Sequence, residues 1–264
     1  MSTRNVVCGM AALAITGLLA ASAQAGVVAY EGFDYTAGTV LHPTANGGTG
    51  WASAWVLRDS AGLKVATSGL SYPGLPSSVG LALTPVVGEA DQELRKMSSS
   101  VTGVSYISFL VQTRSNGASF LRVGPDGGEF ASFGVKGTTL FANNSFTHDA
   151  SDSLGTTGAL AAGVTHLIVA KVDLLNGGLL SVYADPTAGA AEPASPAVTY
   201  AITAPISYDT IAVAGVWVGT TNVLFDEIRV GTTFADVTSV PEPTSIALLG
   251  AAAMGLIARR RRHA

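Results

Sequence analysis

Short β-rich runs separated by turn residues are the feature that most restricts how this chain can fold. About eleven such runs lie between residues 27 and 230, and no stretch keeps a helical apolar period for more than a turn or two. Glycine pairs at 127–128 and 177–178 supply the positive φ angles that tight hairpins require. The pattern predicts an all-β domain of two packed antiparallel sheets.

The N-terminus has the three parts of a secretory signal peptide. Arg4 supplies the positive charge, residues 6–20 form the apolar core, and Ala23-Gln24-Ala25 is a small-residue cleavage site before Gly26. A lipoprotein signal is the alternative, but Cys8 lies at the start of the apolar stretch rather than at its end. Because Cys8 is the single cysteine, cleavage after Ala25 would leave an exported domain without a disulfide.

The C-terminus combines a proline motif, an apolar run and a basic cluster. The prolines forbid a continuous helix and keep the motif on an extended backbone. The apolar run at residues 244–258 would reach only about 21 Å as a helix, against about 30 Å for the hydrocarbon core, so we predict a short, weak transmembrane helix. The basic cluster would hold the C-terminus on the cytoplasmic side. The motif is Val240, Pro241, Glu242 and Pro243, and the cluster is Arg259, Arg260, Arg261 and Arg262.

This three-part tail resembles the PEP-CTERM sorting signal of Gram-negative bacteria, which is read by a membrane transpeptidase-like enzyme called exosortase. The resemblance implies an exosortase-type processing enzyme as a partner and a transient stay in the inner membrane. It also implies a final location at the cell surface or in the extracellular matrix after processing.

The sequence between the two terminal segments fits one domain. It has about 215 residues, and we predict a signal peptide at 1–25, a β-sandwich at 26–237 and a sorting tail at 238–264. Leaving out Arg4 and the four tail arginines reduces the basic residues from fourteen to nine, and leaving out Glu242 reduces the acidic residues from eighteen to seventeen. The net charge of about −8 argues against nucleic acid or anionic lipid as a partner, since both need a basic surface.

Three segments of the central region are similar to concanavalin A-like, laminin G-like jelly-roll domains of exported bacterial proteins. They are Ala29-Tyr30-Glu31-Gly32-Phe33-Asp34-Tyr35, Asn46-Gly47-Gly48-Thr49-Gly50-Trp51 and Phe225-Asp226-Glu227-Ile228-Arg229-Val230-Gly231. The resemblance spans roughly residues 26–237 and implies a two-sheet jelly-roll sandwich whose first and last strands are neighbours. Lectins, glucanases and structural modules share this topology.

One acidic stretch has the spacing of a catalytic motif. Glu89, Asp91 and Glu93 match the Glu-x-Asp-x-Glu pattern of the laminarinase and carrageenase type of glycosidase, and on a strand their carboxylates would face one way. The intervening residues are not the apolar ones usual in those enzymes. We therefore interpret the stretch as an acidic solvent-facing edge or loop, neutralised by Arg95 and Lys96, and expect no catalytic residues.

Sugar binding would need exposed aromatic rings beside polar groups. Trp51 and Trp55 flank a turn, and Tyr72 precedes a proline in a loop, so these three are the candidates for stacking on a glycan. Packing in the core or under loops is the alternative interpretation for all three.

Metal binding finds little support in the sequence, because the histidines lack ligand spacing, and we expect no cofactor. Calcium remains an alternative because it takes oxygen ligands from scattered loops, and Asp149 and Asp152 lie in a long polar stretch. Strict alternation places Asp226 with Leu224, Ile228 and Val230 on the more apolar face of its strand. We expect Asp226 to accept hydrogen bonds that tie the last strand to the sandwich, with calcium ligation as the alternative.

These observations predict an exported, exosortase-sorted protein of the cell surface or extracellular matrix, with a non-catalytic structural or adhesive β-sandwich. The alternative is a carbohydrate-binding or glycoside-hydrolase-like domain that acts on extracellular polysaccharide.

Overall fold

The computed structural model describes residues 26–59, 62–85, 90–112, 117–125, 128, 131–143, 160–175, 177–202, 207–216 and 223–239. The predicted signal peptide, residues 240–264 of the sorting tail, Glu89, Asp149 and Asp152 lie outside these residues. Within the described part of the chain, no helix has the length and apolarity that crossing a bilayer requires.

The described residues form fourteen strands and one short helix. The strands are β1 (Val27–Glu31), β2 (Val56–Asp59), β3 (Leu63–Val65), β4 (Leu83–Pro85), β5 (Ala90–Thr102), β6 (Val104–Gln112), β7 (Ala118–Gly124), β8 (Ala131–Lys136), β9 (Thr139–Asn143), β10 (Thr165–Asp173), β11 (Leu179–Ala184), β12 (Val198–Ala201), β13 (Ser207–Val216) and β14 (Leu224–Gly231), and the helix is α1 (Phe234–Thr238).

The strands make two antiparallel sheets that pack face to face. The larger sheet has the order β12-β11-β10-β6-β14-β4-β3, with β1 also pairing with β14, and the smaller sheet has the order β2-β5-β13-β7-β8-β9. Because β1 pairs with β14, the first and last strands are neighbours. The predicted all-β, two-sheet antiparallel jelly-roll sandwich is confirmed.

A continuous apolar core fills the space between the sheets. Phe109 of β6 stacks on Phe225 of β14 with ring centroids 4.5 Å apart, and it reaches Phe133 of the opposite sheet at 6.2 Å. A second cluster covers the outer face of the larger sheet, where Phe234 of α1 packs edge-on against Tyr106 and Tyr183. The larger sheet is therefore covered on both faces.

A β-bulge in β14 overturns the alternation expected for that strand. The pairing of β14 with β6 shifts register between Asp226 and Arg229, and Glu227 has a φ of +56°. A bulge places two residues opposite one and so resets the facing of the strand. Consequently Phe225 points into the core together with Ile228, whereas the sequence pattern placed these two residues on opposite faces.

The longest strand, β5, was not predicted, and neither were β2, β12 and α1. β5 runs for 13 residues and pairs with both β2 and β13. The sequence of β5 lacks the inward apolar residues that normally predict a strand, because Glu93 and Arg95 occupy those inward positions.

Candidate functional site

An open pocket of about 490 Å³ lies beside the loop that follows β1. A positive φ of +52° at Phe33 turns the chain out of β1, and the Phe33 ring is fully buried against Trp55 with centroids 6.1 Å apart. This turn presents the following residues around the pocket. Hydroxyl groups and one carboxylate dominate its lining, which consists of Asp34, Tyr35, Thr36, Thr39, Leu41, Thr44, Ala45 and Val65.

Tyr35 connects the pocket to a carboxylate buried beneath it. Its Oη donates a hydrogen bond to Glu31 Oε2 at 2.9 Å and accepts one from Gly47 N at 2.8 Å. Glu31 is fully buried, and its Oε1 accepts a hydrogen bond from Phe33 N at 2.9 Å. Burial and the neighbouring Glu31 raise the pKa of Tyr35 to about 12, so the phenol is protonated at neutral pH.

Arg95 neutralises Glu31 and fixes the pocket loop. The guanidinium is 1 % exposed, and its Nη1 donates to Glu31 Oε2. Nε donates to Ser53 O at 2.7 Å and Nη2 to Asn46 Oδ1 at 2.8 Å. One buried arginine thus joins β1, β5 and the loop between β1 and β2. The expectation that Arg95 neutralises exposed acids of its own strand is wrong, because its partner lies 64 residues earlier in the chain.

Glu93 lies inside the sandwich, not on a solvent-facing edge, and that part of the interpretation is wrong. Its Oε1 accepts a hydrogen bond from Leu63 N at 2.8 Å and lies 3.2 Å from His42 Nδ1. Oε2 has no hydrogen-bond partner among the described residues. Burial raises the pKa of the Glu93 carboxyl above its usual range. Because the side chain is fully buried, a substrate cannot reach it in this structure.

Glu93→Gln should preserve the fold and raise the free energy of unfolding at neutral pH, because burial raises the pKa of the Glu93 carboxyl and disfavours its ionised form. A carboxyl whose pKa is raised in the folded state stabilises the protein below its unfolded pKa of about 4.3 and loses that contribution as the pH rises. Glutamine keeps an acceptor for Leu63 N and cannot ionise. Urea unfolding at pH 4.5 and pH 7.5 should show a smaller decline in stability for the variant. A decline in stability from pH 4.5 to pH 7.5 that is as large in the variant as in the wild type would contradict this account.

The three aromatic candidates for glycan stacking do not form one site. Trp55 is 1 % exposed and donates its Nε1 hydrogen to Glu31 Oε2 at 3.2 Å. Half-buried Trp51 donates to Tyr30 O at 2.9 Å, and the Arg95 guanidinium lies 4.9 Å from its ring centroid. Trp55 belongs to the core, and Trp51 packs against it. Trp55 has no face open to a ligand here, while stacking on Trp51 stays a prediction.

Tyr72 lies in the second apolar cluster, on the outer face of the larger sheet. Its hydroxyl donates to Pro186 O at 3.4 Å. Burial and the nearby Asp185 raise the pKa of Tyr72 to about 12. The ring therefore packs under the loop after β11, in a different apolar cluster from the two tryptophans, and glycan stacking on it stays a prediction.

Asp226 accepts hydrogen bonds that tie the last strand to a distant loop, as expected from the sequence. Its Oδ2 accepts from Leu70 N at 2.7 Å and its Oδ1 from Glu227 N at 2.8 Å. Burial raises its pKa to about 7. Among the residues that the structure describes, no three His, Cys, Asp or Glu side chains come together as a metal site. Calcium binding stays a prediction.

A carboxylate clamp on the outer face of the larger sheet was missed in the sequence. Glu192 comes from the alanine- and proline-rich loop after β11, and both of its oxygens accept hydrogen bonds at 2.6 Å, one from Tyr106 and one from Tyr183. Lys171 Nζ lies 3.1 Å from Glu192 Oε1. Although burial favours the neutral acid, these bonds hold the pKa of Glu192 below its usual range. The signal that could have revealed it is that Glu192 and Asp185 are the two charged residues in a loop otherwise rich in alanine and proline.

A family description of the PEP-CTERM protein-sorting motif matches residues 239–262. No curated protein matches the chain. The globular domain of calreticulin from T. cruzi is a structural neighbour at 10 % identity and a TM-score of 0.46, covering 70 % of this chain and 86 % of that one. The metal-free carbohydrate recognition domain of Emp46p matches at 8 % identity and a TM-score of 0.44, over 68 % of this chain and 88 % of that one.

A protein of unknown function from Shewanella oneidensis matches at 12 % identity and a TM-score of 0.48, covering 90 % of this chain and all of that one. The family match starts at Ser239, which is the residue that caps the C-terminal end of α1. The chain therefore carries a PEP-CTERM protein-sorting motif directly behind a two-sheet antiparallel β-sandwich.

Proposed function

We propose that this chain is exported, anchored briefly in the inner membrane and processed by an exosortase-type enzyme, and that its sandwich then serves a non-catalytic structural or adhesive role at the cell surface or in the extracellular matrix. The matched sorting motif at residues 239–262 carries the proposal. The division into a signal peptide at 1–25, a sandwich at 26–237 and a tail at 238–264 belongs to it. Cleavage falls after Ala25, and the motif Val240–Pro243 is presented outside the membrane.

Two features of the sandwich support a non-catalytic role. Glu93, one of the three acids with catalytic spacing, is fully buried and hydrogen-bonded to the backbone. Arg95, two residues later, forms a buried ion pair with Glu31. The inward face of this part of β5 thus holds loops in place. Release of reducing sugar from β-glucans or galactans by the wild type, but not by a Glu89→Gln variant, would contradict the non-catalytic role.

Replacing Pro241, Glu242 and Pro243 with alanine should leave membrane insertion intact and block processing. The apolar run and the arginines remain, whereas the extended motif that the enzyme reads is lost. Fractionation of a host that supplies the enzyme, with an antibody against the sandwich, should find full-length protein accumulating in the inner membrane. The matched control replaces Thr244 and Ser245, just past the motif, and should be processed normally. Efficient delivery of the triple variant to the surface would disprove sorting by this motif.

The second candidate function, carbohydrate binding, is favoured by the pocket beside Tyr35. Its hydroxyl-rich lining and the single carboxylate of Asp34 suit the hydroxyl groups of a polysaccharide, and the Glu31–Arg95 pair fixes the loop that carries them. Such a site needs no metal, and a calcium ion bound by oxygen ligands from other loops is compatible with it.

A glycan array probed with residues 26–239, with and without calcium, tests this second candidate. If the pocket binds sugar, Asp34→Ala should lower the affinity about tenfold, because it removes an acceptor that bonds to sugar hydroxyl groups. The matched control is Asp173→Ala, an acid at the end of β10 and outside the pocket lining. Equal binding by both variants would exclude the pocket as the sugar site.

A further inference from the structure

The two ends of the folded domain meet at Asp236 of α1. Val27 of β1 lies opposite Gly231 of β14, and the backbone N–H of Gly26 faces the Asp236 carboxylate and lowers its pKa. A methyl group added at the Gly26 Cα would lie 3.4 Å from Asp236 Oδ2. The residue that follows the expected signal cleavage site therefore lies against the helix that precedes the sorting motif.

Asp236 is the residue that organises the start of α1. Its Oδ2 accepts hydrogen bonds from Thr232 N at 2.9 Å and Thr233 N at 2.8 Å. Asp236 N in turn donates a hydrogen bond to the Thr233 side chain, which completes a capping box. Although burial alone would raise the pKa of Asp236, the bonds from Thr233, Gly26 and Thr232 lower it. The carboxylate is therefore ionised at neutral pH.

The helix leads into the sorting motif without a spacer. Val237 and Thr238 are fully buried, and Ser108 Oγ donates to Val237 O at 2.8 Å. Ser239 forms the C-terminal cap through its bond to Ala235 O. Val240, the first residue of the motif, follows directly in the sequence. Whatever anchors α1 thus anchors the point from which the motif emerges.

Signal-peptide removal changes the chemistry of the group that faces Asp236. Hydrolysis of the Ala25–Gly26 bond consumes one water, leaves a carboxylate on Ala25 and an amine on Gly26, and the amine takes up a proton at neutral pH. A neutral amide donor thereby becomes an ammonium. Hydrogen bonds between ions are shorter and stronger than those of neutral amides.

We propose that removal of the signal peptide completes the anchoring of α1, because the new α-ammonium of Gly26 pairs with Asp236 and holds the helix from which the sorting motif emerges. This inference rests on cleavage at Gly26 in the proposed function. Maturation of the N-terminus is then coupled to the C-terminal processing site through one carboxylate. A cation at the N-terminal end of a helix is unfavourable by itself, so the coupling depends on Asp236.

The test compares residues 26–239 with a free α-amine and with the same amine acetylated. Both sheets and α1 lie within this segment. The amine should titrate above its ordinary pKa of about 7.7. At pH 6.5 the unfolding equilibrium constant of the free-amine form should be about fivefold smaller, since a partly exposed ion pair contributes about 1 kcal/mol. A raised amine pKa gives stability that is lost as the pH rises through it, so the two forms should converge above about pH 10.

Matched variants separate the ion pair from a general effect of acetylation. Asp236→Asn should abolish the difference between the two forms, whereas Asp173→Asn, which changes an acid remote from the N-terminus, should preserve it. If Asp236→Asn does not fold, NMR titration of the wild-type amine decides alone. An amine pKa at its ordinary value together with equal stability of the two forms would overturn the proposal. N-terminal sequencing of the exported protein separately tests cleavage at Gly26.

Discussion

Replacing Arg95 with leucine should lower the free energy of unfolding by about 3–5 kcal/mol, because it leaves the buried carboxylate of Glu31 without its cation. The substitution also removes the donors that hold Asn46 and Ser53 O, so the pocket loop loses its anchor. Urea unfolding at pH 7, followed by tryptophan fluorescence, measures the loss directly, since Trp51 and Trp55 both lie near the guanidinium.

The neighbouring residue provides the matched control for that substitution. Lys96 lies 3.2 Å from Asp209, and its side chain is 43 % exposed, so Lys96→Leu should cost less than about 1 kcal/mol. Pairing Arg95→Leu with Glu31→Gln should recover part of the loss, because the two charges are removed together. A cost below 1 kcal/mol for Arg95→Leu alone would show that the buried pair is not what holds this end of the sandwich.

Replacing Arg259, Arg260, Arg261 and Arg262 with glutamine should abolish retention in the inner membrane. The apolar run is shorter than the hydrocarbon core and little else fixes its orientation, so without the basic cluster it should slip through the membrane. Pulse-labelling and fractionation should find unprocessed protein outside the inner membrane. Lysine at the same four positions keeps the positive charge and should behave as wild type. Normal anchoring of the glutamine variant would contradict the stop-transfer role of this cluster.

The fold class was predictable because most strands are short, apolar, β-rich runs that are bounded by turn residues. β6 and β10, for example, are continuous runs of buried residues that read as strands without any tertiary information. β5 was missed because its inward residues are charged and find their partners far away, Arg95 at Glu31 and Glu93 at Leu63. No local pattern encodes a pairing between distant segments.

The facing of the residues along β14, where Phe225 and Ile228 share the core, was predicted wrongly for a different physical reason. Period-two alternation holds only while the ladder is regular, and the bulge at Glu227 breaks it. A glycine at this position would have indicated a positive φ, whereas a glutamate does not. Glu227 is held there by hydrogen bonds from Tyr30 and Arg229, which lie in two different strands.

The candidate site was less predictable than the fold, because loops with no repeating pattern build it. The sequence singled out Trp55 for its ring, yet the structure uses that ring to pack Phe33 and to bond Glu31. The pocket beside Tyr35 forms where the loop after β1 packs against Val65 of β3. Local sequence does not determine that contact. The sorting tail, in contrast, is linear and could be recognised residue by residue.

Mass spectrometry of the protein released from the cell surface tests the central claim most directly. Intact mass combined with peptide mapping should give a chain that begins at Gly26 and ends at or close to the motif Val240–Pro243. It should lack the apolar run and the basic cluster. A surface form that still contains Arg259–Arg262 would contradict processing at the motif, and a form that still begins at Met1 would contradict export through a cleaved signal peptide.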